Sequence, residues 1–414
     1  MKFVILTQYF PPETGAPQNR LYELAVRLKK EGATVEILTA MPNYPQMKLY
    51  DGYKGKFYRK EVMDGMTVHR GWIYVSKSKS VFKRLLNYYS FVFSSFWIGL
   101  FKLKRHDVLI CESPPLFLGK TAFLLSRLKR AKLIFNVSDL WPESAEKMGI
   151  VKNRFFLWIA SRLERFMYKR SWIITGQTQG IVKSISNRFP KKTVHWLPNG
   201  VDPLFYNPDR EKGSWREDNG FKPNDFILLY AGIIGHAQGL EVIIDAAKRL
   251  REYTSIKFVL VGNGPQKEEL LKLRKEAGVE QVYFFDSVPK DKMPDLVSAA
   301  DVAIIPLRKL DLFKGAIPSK IFESLAMKKP ILLGVDGEAR DLFITEGNCG
   351  LYVEPENAVE LANAVLKLAD SPQLIKQLGE NGRKYVEAKF SRDKIAHEFH
   401  QFIKQRHPSF SHKE

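Results

Sequence analysis

The sequence predicts an α/β protein built from two doubly wound, Rossmann-like domains that follow one another in the chain. The chain has 414 residues, which is too many for one ordinary hydrophobic core. Its content of 45% hydrophobic and 27% charged residues is typical of folded globular proteins. In both halves, short apolar runs alternate with helix-like stretches, a pattern that predicts parallel sheets with right-handed crossovers.

The first half begins with a βαβ pattern. The apolar run KFVILT (2–7) precedes a loop and the helix-like run RLYELAVRLKKEG, which ends at Gly32, and the strand ATVEILTA follows directly. Four later runs predict further strands, with helical stretches between most of them: DVLIC (107–111), KLIFNVS (132–138), SWIITG (171–176) and TVHWLPNG (193–200).

After a polar stretch rich in turn-forming residues, the alternation of strands and helices begins again. Six strands are predicted in this half: 226–232, 256–262, 282–287, 301–307, 330–334 and 350–353. Helices are predicted near 239–252, 266–277 and 291–299, and within 315–330.

These runs predict three segments along the chain. They are a first domain at 1–200, a second at 201–385, and a C-terminal helix at 386–414 that returns to the first domain. Ligands of such sheets bind beyond the carboxyl ends of the strands. We therefore expect the two domains to face a central cleft that holds the site.

Almost all of the excess positive charge lies in the first half. The net charge is +20, and residues 1–190 contain 32 Lys and Arg against 13 Asp and Glu. Such an asymmetry indicates an anionic partner, which is nucleic acid, an anionic membrane or a phosphorylated substrate. The sequence has neither a groove-reading motif nor a sheet with stacking aromatics, so no nucleic acid is expected as partner.

The cysteines exclude two further classes of protein. Cys111 and Cys349 cannot form a disulfide framework, and no Cys/His cluster predicts zinc. The apolar run in the opening MKFVILTQYFPPETG is too short for a signal peptide. We therefore expect a cytoplasmic protein with no metal and no cofactor.

Two aromatic and basic segments are candidates for membrane contact. Residues 85–101 (LLNYYSFVFSSFWIGLF) carry no charge and are flanked by Lys and Arg, but they are too short and polar for a bilayer span. The segment is either an interfacial helix or a buried helix of the domain. Residues 154–172 place Arg162, Arg165 and Lys169 on one helical face, which either contacts anionic lipid or is simply solvated.

The stretch GAIPSKIFESLAMKKP (315–330) predicts a short helix that begins at Pro318 with unpaired N–H groups. Lys320 and Glu323 are neighbours on it, and they form either a surface ion pair or two contacts to one ligand. In the second case, the N–H groups and Lys320 bind a phosphate, and Glu323 accepts hydrogen bonds from paired hydroxyls such as those of a ribose.

The order of the motifs adds a family resemblance. Five motifs occur in sequence: LPNGVD (197–202), LVGNGPQKEEL (260–270), AADVAIIPL (299–307), PSKIFESLA (318–326) and GLYVEPEN (350–357). This set resembles the retaining GT-B sugar-nucleotide transferases of glycosyltransferase family 4 over nearly the whole chain. In the first half, YFPPETGAPQN and NVSDLWPESAEKMG resemble a bacterial subgroup that makes capsule, O-antigen or colanic acid and includes fucosyl- and N-acetylfucosaminyltransferases.

The resemblance implies a binding site for the donor nucleotide. Glu323 matches the second glutamate of the E-x7-E motif and would hold the ribose. Ser319 and Lys320 would lie by the diphosphate. Gly15 would let the backbone approach the donor phosphate.

Other positions follow from the same resemblance. Gly262 and Gly264 would shape a loop beside the nucleotide, and Val288 falls where the main chain of the family meets the base. Asn199 would lie near the hinge and the cleft.

The sequence departs from the family at three places. The first glutamate of E-x7-E, which contacts the donor sugar, falls on Gly315. The usual Arg and Lys of the G-R-L-x-x-x-K-G segment fall on Ile233 and Gln238. The common histidine before the acceptor-side loop falls on Ser138.

These departures shift the expected chemistry. Neutralisation of the diphosphate would depend more on Lys320, with help from Arg308 or His236. A donor sugar that lacks a normally bound hydroxyl, such as a 6-deoxy or N-acetylated hexose, would fit.

Two carboxylates in the first half have alternative readings. Asp139 either caps a helix whose first turn contains Glu143 or positions the acceptor, and we favour the acceptor. Glu13 is either an exposed loop carboxylate or a substrate contact.

The expected activity is transfer of a hexose from a UDP-sugar to a polyprenyl-diphosphate-linked saccharide, with retention and without metal. The expected location is peripheral, on the anionic inner leaflet of the inner membrane, where the basic half would bind. The alternative is a UDP-sugar epimerase of the same architecture, which would convert its substrate without an acceptor.

Overall fold

An eight-stranded sheet forms the centre of the first half of the chain, with strand order β3-β4-β2-β1-β5-β6-β7-β8. The computed structural model describes residues 1–13, 15–44, 46–76, 78, 81–147, 149, 151–210 and 213–407, without the side chains of residues 16, 17, 81, 82 and 84. The strands are β1 (Lys2–Leu6), β2 (Thr34–Ala40), β3 (Tyr58–Met63), β4 (Met66–Gly71), β5 (Val108–Ser113), β6 (Lys132–Val137), β7 (Ile173–Gly176) and β8 (Thr193–Trp196).

All neighbouring strands of this sheet are parallel except β3 and β4, which form an antiparallel hairpin at its edge. This hairpin was not predicted from the sequence. Asp64 and Gly65 form its turn with φ of 48° and 69°, as type I′ turns require. The Asp-Gly pair was therefore the available signal.

Helices cover both faces of the sheet, because successive strand residues point to opposite sides. They are α1 (Ala16–Lys30), α2 (Val81–Lys102), α3 (Leu118–Leu128), α4 (Glu143–Lys147), α5 (Arg154–Arg170) and α6 (Gln179–Arg188). Val4 and Leu6 of β1 belong to a core formed with α2, α3, α5 and α6. Phe3 and Ile5 belong to the core on the opposite face, which contains α1.

Helix α2 contains the uncharged segment 85–101, and it is buried on one side and exposed on the other. Phe91 and Ile98 lie in the core, while Phe93 and Phe101 are 57% and 72% exposed. The interpretation as a buried helix of the domain is confirmed for one side of α2, and the interfacial interpretation stays a prediction for its exposed side. Among the described residues, no helix has the length and apolar character to cross a bilayer.

The second half is built on six parallel strands with the order β11-β10-β9-β12-β13-β14. The strands are β9 (Phe226–Ala231), β10 (Ile256–Val261), β11 (Val282–Phe285), β12 (Val302–Pro306), β13 (Ile331–Gly334) and β14 (Gly350–Tyr352). The helices are α7 (Trp215–Asp218), α8 (Glu241–Arg249), α9 (Lys267–Ala277), α10 (Met293–Ala299), α11 (Lys320–Ala326), α12 (Glu338–Arg340), α13 (Ala358–Ala369) and α14 (Pro372–Phe390).

The last helix, α15 (Arg392–Arg406), packs with the first half of the chain, although it follows the second half in the sequence. The chain forms two compact units, of which unit 1 contains Met1–Asn199 and the chain from Arg392 onward, and unit 2 contains Gly200–Ser391. Helix α15 buries Phe399 and Ile403 in the core that contains α1. Asp393 also pairs with Arg27 of α1 at 2.9 Å. The predicted boundary at residue 386 falls inside α14, and residues 408–414 lie outside the described part.

The docking of α15 gives unit 1 a dependence on pH. The His195 ring stacks on Phe402 with centroids 3.9 Å apart, and burial, with a contribution from Arg406, lowers the pKa of His195 to about 4. The unfolded chain binds this proton near pH 6.5, whereas the folded chain stays neutral until about pH 4. The free energy of unfolding should therefore fall as the pH decreases through this window.

We expect His195→Phe, which keeps the stacking and removes the titration, to reduce this loss. Urea titrations of both proteins at about pH 7 and pH 5, followed by circular dichroism, measure it. An equal loss of stability in the two proteins would contradict the assignment.

Candidate functional site

The candidate site of unit 2 lies at the carboxyl ends of β9 and β12. The chain runs outward from β9 through β10 to β11, and then from β12 through β13 to β14 on the other side. The pair β9–β12 is thus the topological switch point, where open α/β sheets bind ligands. The loops after these strands, 232–239 and 307–319, surround this point.

Lys320 is the cation at this position. Its Nζ atom lies 3.5 Å from the centroid of the Tyr230 ring, and the residue is half-buried. Burial lowers the pKa of Lys320 to about 7, although the nearby carboxylate of Glu323 acts in the opposite direction. An ammonium group that has lost part of its water in this way is stabilised by an anion that binds beside it.

Tyr230 and Gly232 create the space for this ammonium group. The Tyr230 hydroxyl donates a hydrogen bond of 2.5 Å to the carbonyl of Ile233, which holds the loop after β9 against its own strand. A Cβ atom on Gly232 would lie 2.9 Å from Nζ of Lys320. Neither residue was singled out from the sequence, although a tyrosine in the apolar run FILLYAG was a visible signal.

Gly262 and Gly264 let the loop after β10 pack against the loop after β9. A Cβ atom on Gly262 would lie 1.8 Å from the carbonyl oxygen of Gly232, and one on Gly264 would lie 2.1 Å from that of Ile234. Two backbone hydrogen bonds join the loops, from Ile234 to Asn263 and from Gln266 to Ile234, each 3.1 Å long. The glycines therefore serve a close backbone contact beside Lys320.

Helix α11 begins at Lys320, two residues later than predicted, with Ser319 in the N-cap position. The N–H groups of Ile321 and Phe322 donate to the carbonyls of Pro318 and Ser319 at 3.1 Å. The expectation of unpaired N–H groups is wrong for these two, because the first turn closes with i to i−3 bonds. The cationic side chain of Lys320 is consequently the more important feature of this helix end.

Arg308 and His236 occupy the loops around the switch point. The guanidinium of Arg308 donates to the carbonyl of His236 at 2.6 Å and pairs with Glu241 at 2.7 Å and Glu356 at 3.0 Å. It therefore braces the loop after β9 against the loop after β12. The imidazole of His236 is exposed.

Val288 and Gly315, which were also named from the sequence, lie in two other parts of the loops at this sheet edge. Val288 is half-buried in the loop after β11. Gly315 ends a 3-10 turn at Asp311–Gly315, and a Cβ atom there would meet no described atom within 4 Å. A side chain at residue 315 would thus point into open space.

A buried polar network lies at the carboxyl ends of β5 and β6 in unit 1. Arg20 of α1 pairs with Glu112 at 2.7 Å and donates to the hydroxyl of Ser138 at 2.5 Å, and Ser138 also donates to Glu112. Asn136 donates to the second oxygen of Glu112. Neither Arg20 nor Glu112 was predicted from the sequence, although a glutamate at the end of the apolar strand VLICES was a signal.

Asp139 follows this network in the chain. It accepts a hydrogen bond of 2.7 Å from Ser144, and burial raises its pKa, with a smaller effect in the same direction from the charge of Glu143. The carboxylate of Glu143 itself forms an ion pair with Lys147 at 2.7 Å.

Glu13, Gly15 and Asn199 are the remaining sequence candidates in unit 1. Glu13 is buried rather than exposed, and its carboxylate accepts from the backbone N–H groups of Phe10, Asn43 and Tyr44. It fastens the first βα loop to the loop after β2. Gly15 takes the N-cap position of α1, and Asn199 is a buried residue at the end of unit 1.

Within the described ranges, no three His, Cys, Asp or Glu side chains are close enough together to hold a metal ion. The expectation of a metal-free reaction stays a prediction.

The close contact between Gly262 and Gly232 leads to a prediction about thermal stability. In Gly262→Ala, the new methyl group would collide with the carbonyl oxygen of Gly232, and alanine is also strained at the φ of +152° that residue 262 adopts. The loops after β9 and β10 would therefore have to separate. We expect the melting temperature to fall by roughly 4 °C or more. Gly315→Ala is the matched control, which should melt within about 1 °C of the wild type because residue 315 faces open space. Equal melting temperatures of the two variants would contradict the close contact.

Comparison with known protein families agrees with this arrangement. Residues 15–200 match the family model described as glycosyl transferase 4-like domain. Residues 211–385 match the model described as glycosyl transferases group 1.

Individual relatives extend over the whole chain. The chain is 26% identical over 408 residues to the putative colanic acid biosynthesis glycosyl transferase WcaI of Escherichia coli K12, which covers 96% of this chain and 98% of the relative. It is also 23% identical over 232 residues to O-antigen chain mannosyltransferase C of Escherichia coli, over 56% of this chain and 59% of the relative.

Solved structures show the same fold at lower identity. Sucrose-phosphate synthase from Thermosynechococcus elongatus superposes with a TM-score of 0.77 at 16% identity and covers 98% of both chains. Anabaena HepE, solved with UDP and glucose, has a TM-score of 0.71 at 15% identity and covers 97% of this chain and 99% of its own. The predicted fold class of two Rossmann-like domains is confirmed. Residues 15–200 thus match a glycosyl transferase 4-like domain and residues 211–385 match glycosyl transferases group 1, which together indicate a glycosyltransferase with the two-domain GT-B fold.

Proposed function

We propose that this glycosyltransferase moves a hexose from a UDP-sugar to a polyprenyl-diphosphate-linked saccharide, with retention, in the synthesis of a bacterial surface polysaccharide. The observation that carries the proposal is Lys320, a half-buried cation at the switch point of the unit 2 sheet. The names of the Escherichia coli relatives support a surface polysaccharide as product. HepE, which shares the fold, binds UDP and glucose.

The donor would bind to unit 2. Lys320 would neutralise the diphosphate beside Ser319, and the neighbouring Glu323 would accept hydrogen bonds from the ribose hydroxyls. The base would contact the main chain at Val288, in the loop after β11, with Gly262 and Gly264 shaping the adjacent loop. Arg308 would support the site through the loops that it joins, and His236 would contact the donor from its exposed position.

The acceptor would bind to unit 1. Asp139 would position its attacking hydroxyl, and Gly15 would let the backbone approach the donor phosphate. Asn199 would lie near the hinge. The buried pair Arg20–Glu112 would hold Ser138, and with it the start of the loop that contains Asp139.

The reaction breaks the bond between the anomeric carbon and the diphosphate oxygen and forms one to the acceptor oxygen. Negative charge develops on the leaving diphosphate, so a cation at this point stabilises the transition state more than the ground state. The departing phosphate takes the acceptor proton on the same face of the sugar, which retains the anomeric configuration.

The open space at Gly315 bears on the donor sugar. The family glutamate that would contact the sugar is absent at this position, and no described side chain fills its place within 4 Å. A 6-deoxy or N-acetylated hexose is therefore the donor that we propose.

The location that we propose is peripheral, on the anionic inner leaflet. Helices α2, α3 and α5 carry a surface of exposed apolar residues, here called the three-helix surface: Leu86, Tyr89, Phe93, Trp97, Phe101, Leu124, Leu128, Phe155, Trp158 and Phe166. Arg162 on α5 lies over the Trp158 ring at 4.7 Å. Aromatic residues next to cations are typical of helices at a lipid interface.

One incubation separates transfer from the alternative reaction. Purified protein with UDP-sugars and a polyprenyl-diphosphate-linked saccharide should add one hexose to the lipid-linked acceptor, as seen by mass spectrometry, and the anomeric proton coupling should show retention. With the acceptor left out, the UDP-sugar should remain unchanged. Conversion of the UDP-sugar to its epimer would support the epimerase instead, which the two family models do not favour.

Lys320 makes a second prediction. Lys320→Ala should lower kcat by about a hundredfold or more, because it removes the cation beside the leaving group. The wild-type affinity for UDP should weaken as the pH rises through about 7, by up to about tenfold per unit, because the ammonium loses its proton.

Lys320→Arg is the control, since arginine remains charged and its UDP affinity should not follow this titration. Isothermal titration calorimetry from about pH 6 to pH 9 measures the UDP affinity of the wild type and of Lys320→Arg. An unchanged kcat in Lys320→Ala would refute the role of this lysine.

A further inference from the structure

A basic cavity of about 490 Å³ lies at the edge of the unit 1 sheet opposite the buried polar network of Arg20, Glu112 and Ser138. Lys132 is the first residue of β6 and Trp172 directly precedes β7, so the cavity is at the amino ends of these strands. Three arginines complete its charged wall: Arg127, Arg130 and Arg170. It is thus separate from Ser138 and Asp139, which follow the carboxyl end of β6.

Three of the four cations of this cavity lie over aromatic rings, and none of the four has an acidic partner among the described residues. Arg127 lies 5.5 Å from the Phe123 ring, Arg170 lies 5.9 Å from the Phe166 ring, and Nζ of Lys132 lies 6.0 Å from the Trp172 ring. In the described part of the chain, no carboxylate is within 4.0 Å of any of the four. Their positive charge is therefore available to an anion.

A second lysine shows the local excess of positive charge. Lys192 donates from its Nζ atom to the carbonyl of Ser171 at 2.9 Å, next to the cavity. Its pKa is lowered by burial and, in addition, by the charge of Arg170. An anion in the cavity would relieve this repulsion.

Helix capping explains only part of the cluster. Arg127 and Arg170 lie in the last turns of α3 and α5, where cations interact favourably with the helix dipole. Arg130 lies beyond the end of α3 with a φ of +57°, and Lys132 belongs to a strand. Arg130 still belongs to the C-terminal turn of α3, whereas Lys132 lies at no helix end, although both line the same cavity.

Apolar residues of the three-helix surface lie on the same two helices. Leu124 and Leu128 of α3 are 46% and 57% exposed, and Phe166 of α5 is 36% exposed. Phe166 also packs on Phe123 of α3, with ring centroids 4.9 Å apart. A ligand in the cavity would thus have a basic site for its head and an exposed apolar surface beside it.

We infer that this cavity binds the phosphate headgroup of an anionic phospholipid, with the lipid interface along Leu124, Leu128 and Phe166. The inference rests on the proposed membrane location and adds a defined headgroup site to it. The charge of the first 190 residues, with 32 Lys and Arg against 13 Asp and Glu, is complementary to an anionic leaflet. A free phosphate has the same head chemistry but makes no use of the apolar surface.

The test compares two double variants that remove equal charge. The cavity variant is Arg130→Asn with Arg170→Gln, where asparagine tolerates the left-handed backbone at residue 130. The control is Lys30→Gln with Lys404→Gln, on α1 and α15 at the opposite face of the sheet. Flotation with phosphatidylcholine vesicles, with and without phosphatidylglycerol, measures the affinity.

We expect the wild type to bind only the vesicles that contain phosphatidylglycerol, and the cavity variant to bind them about thirtyfold more weakly. The control should change by less than about twofold, because its charges face away from the bilayer. Equal weakening of the two variants, or none in the cavity variant, would overturn the inference. Saturable calorimetric binding of inorganic phosphate without vesicle binding would also overturn it, in favour of a soluble anion.

Two measurements keep these outcomes interpretable. Thermal unfolding shows whether the cavity variant is folded, and Arg170→Gln alone replaces it if it is not. Sugar transfer to a detergent-solubilised acceptor should be the same in the cavity variant and the wild type. A wild type that binds vesicles through the cavity but transfers no sugar would remove the proposed function and leave the headgroup site. A wild type that transfers sugar but does not bind vesicles through the cavity would remove the headgroup site and leave the proposed function.

Discussion

The contact between Lys320 and Tyr230 is the interaction on which the candidate donor site depends. An ammonium group 3.5 Å from an aromatic centroid retains favourable electrostatic contact while it loses water. The contact needs a bare backbone at Gly232, and the loop that contains Gly232 is held by the Tyr230 hydroxyl and by close packing on Gly262. The ammonium group of Lys320, which has lost part of its water, is therefore suited to bind an anionic ligand.

Unit 1 solves a related problem with buried charges instead of a half-buried one. Arg20 and Glu112 neutralise each other. Ser138 donates to the carboxylate oxygen that also faces Arg20, while Asn136 donates to the other oxygen. Breaking such a network would leave a buried charge unpaired, which costs free energy. The network therefore holds its loop in one conformation. Glu13 does the same for the first βα loop, through three backbone N–H groups. Both loops lie at the sheet edge where α/β proteins bind ligands.

The proposed membrane location would explain both the positive charge of unit 1 and its exposed aromatics. Water alone does not favour exposed Phe, Trp and Leu side chains on three neighbouring helices, and the excess of Lys and Arg in the first half of the chain favours an anionic partner. An anionic lipid interface accommodates both kinds of residue. A polyprenyl-linked acceptor, which the proposed reaction requires, would be presented at that same interface.

Local sequence patterns were sufficient for much of the fold and for part of the site. The alternation of apolar strands and amphipathic helices determined the two α/β domains, and the spacing of Lys320 and Glu323 determined their common helix. The sequence could not show that Tyr230 lies beneath Lys320, since these residues are 90 positions apart and meet only when β9 and α11 pack. The same holds for Arg20 and Glu112, for the burial of Glu13 and for the ion pairs that occupy Arg308. Periodicity and turn chemistry act over a few residues and can be read in the chain, whereas the partners of a charged side chain are decided only by tertiary packing.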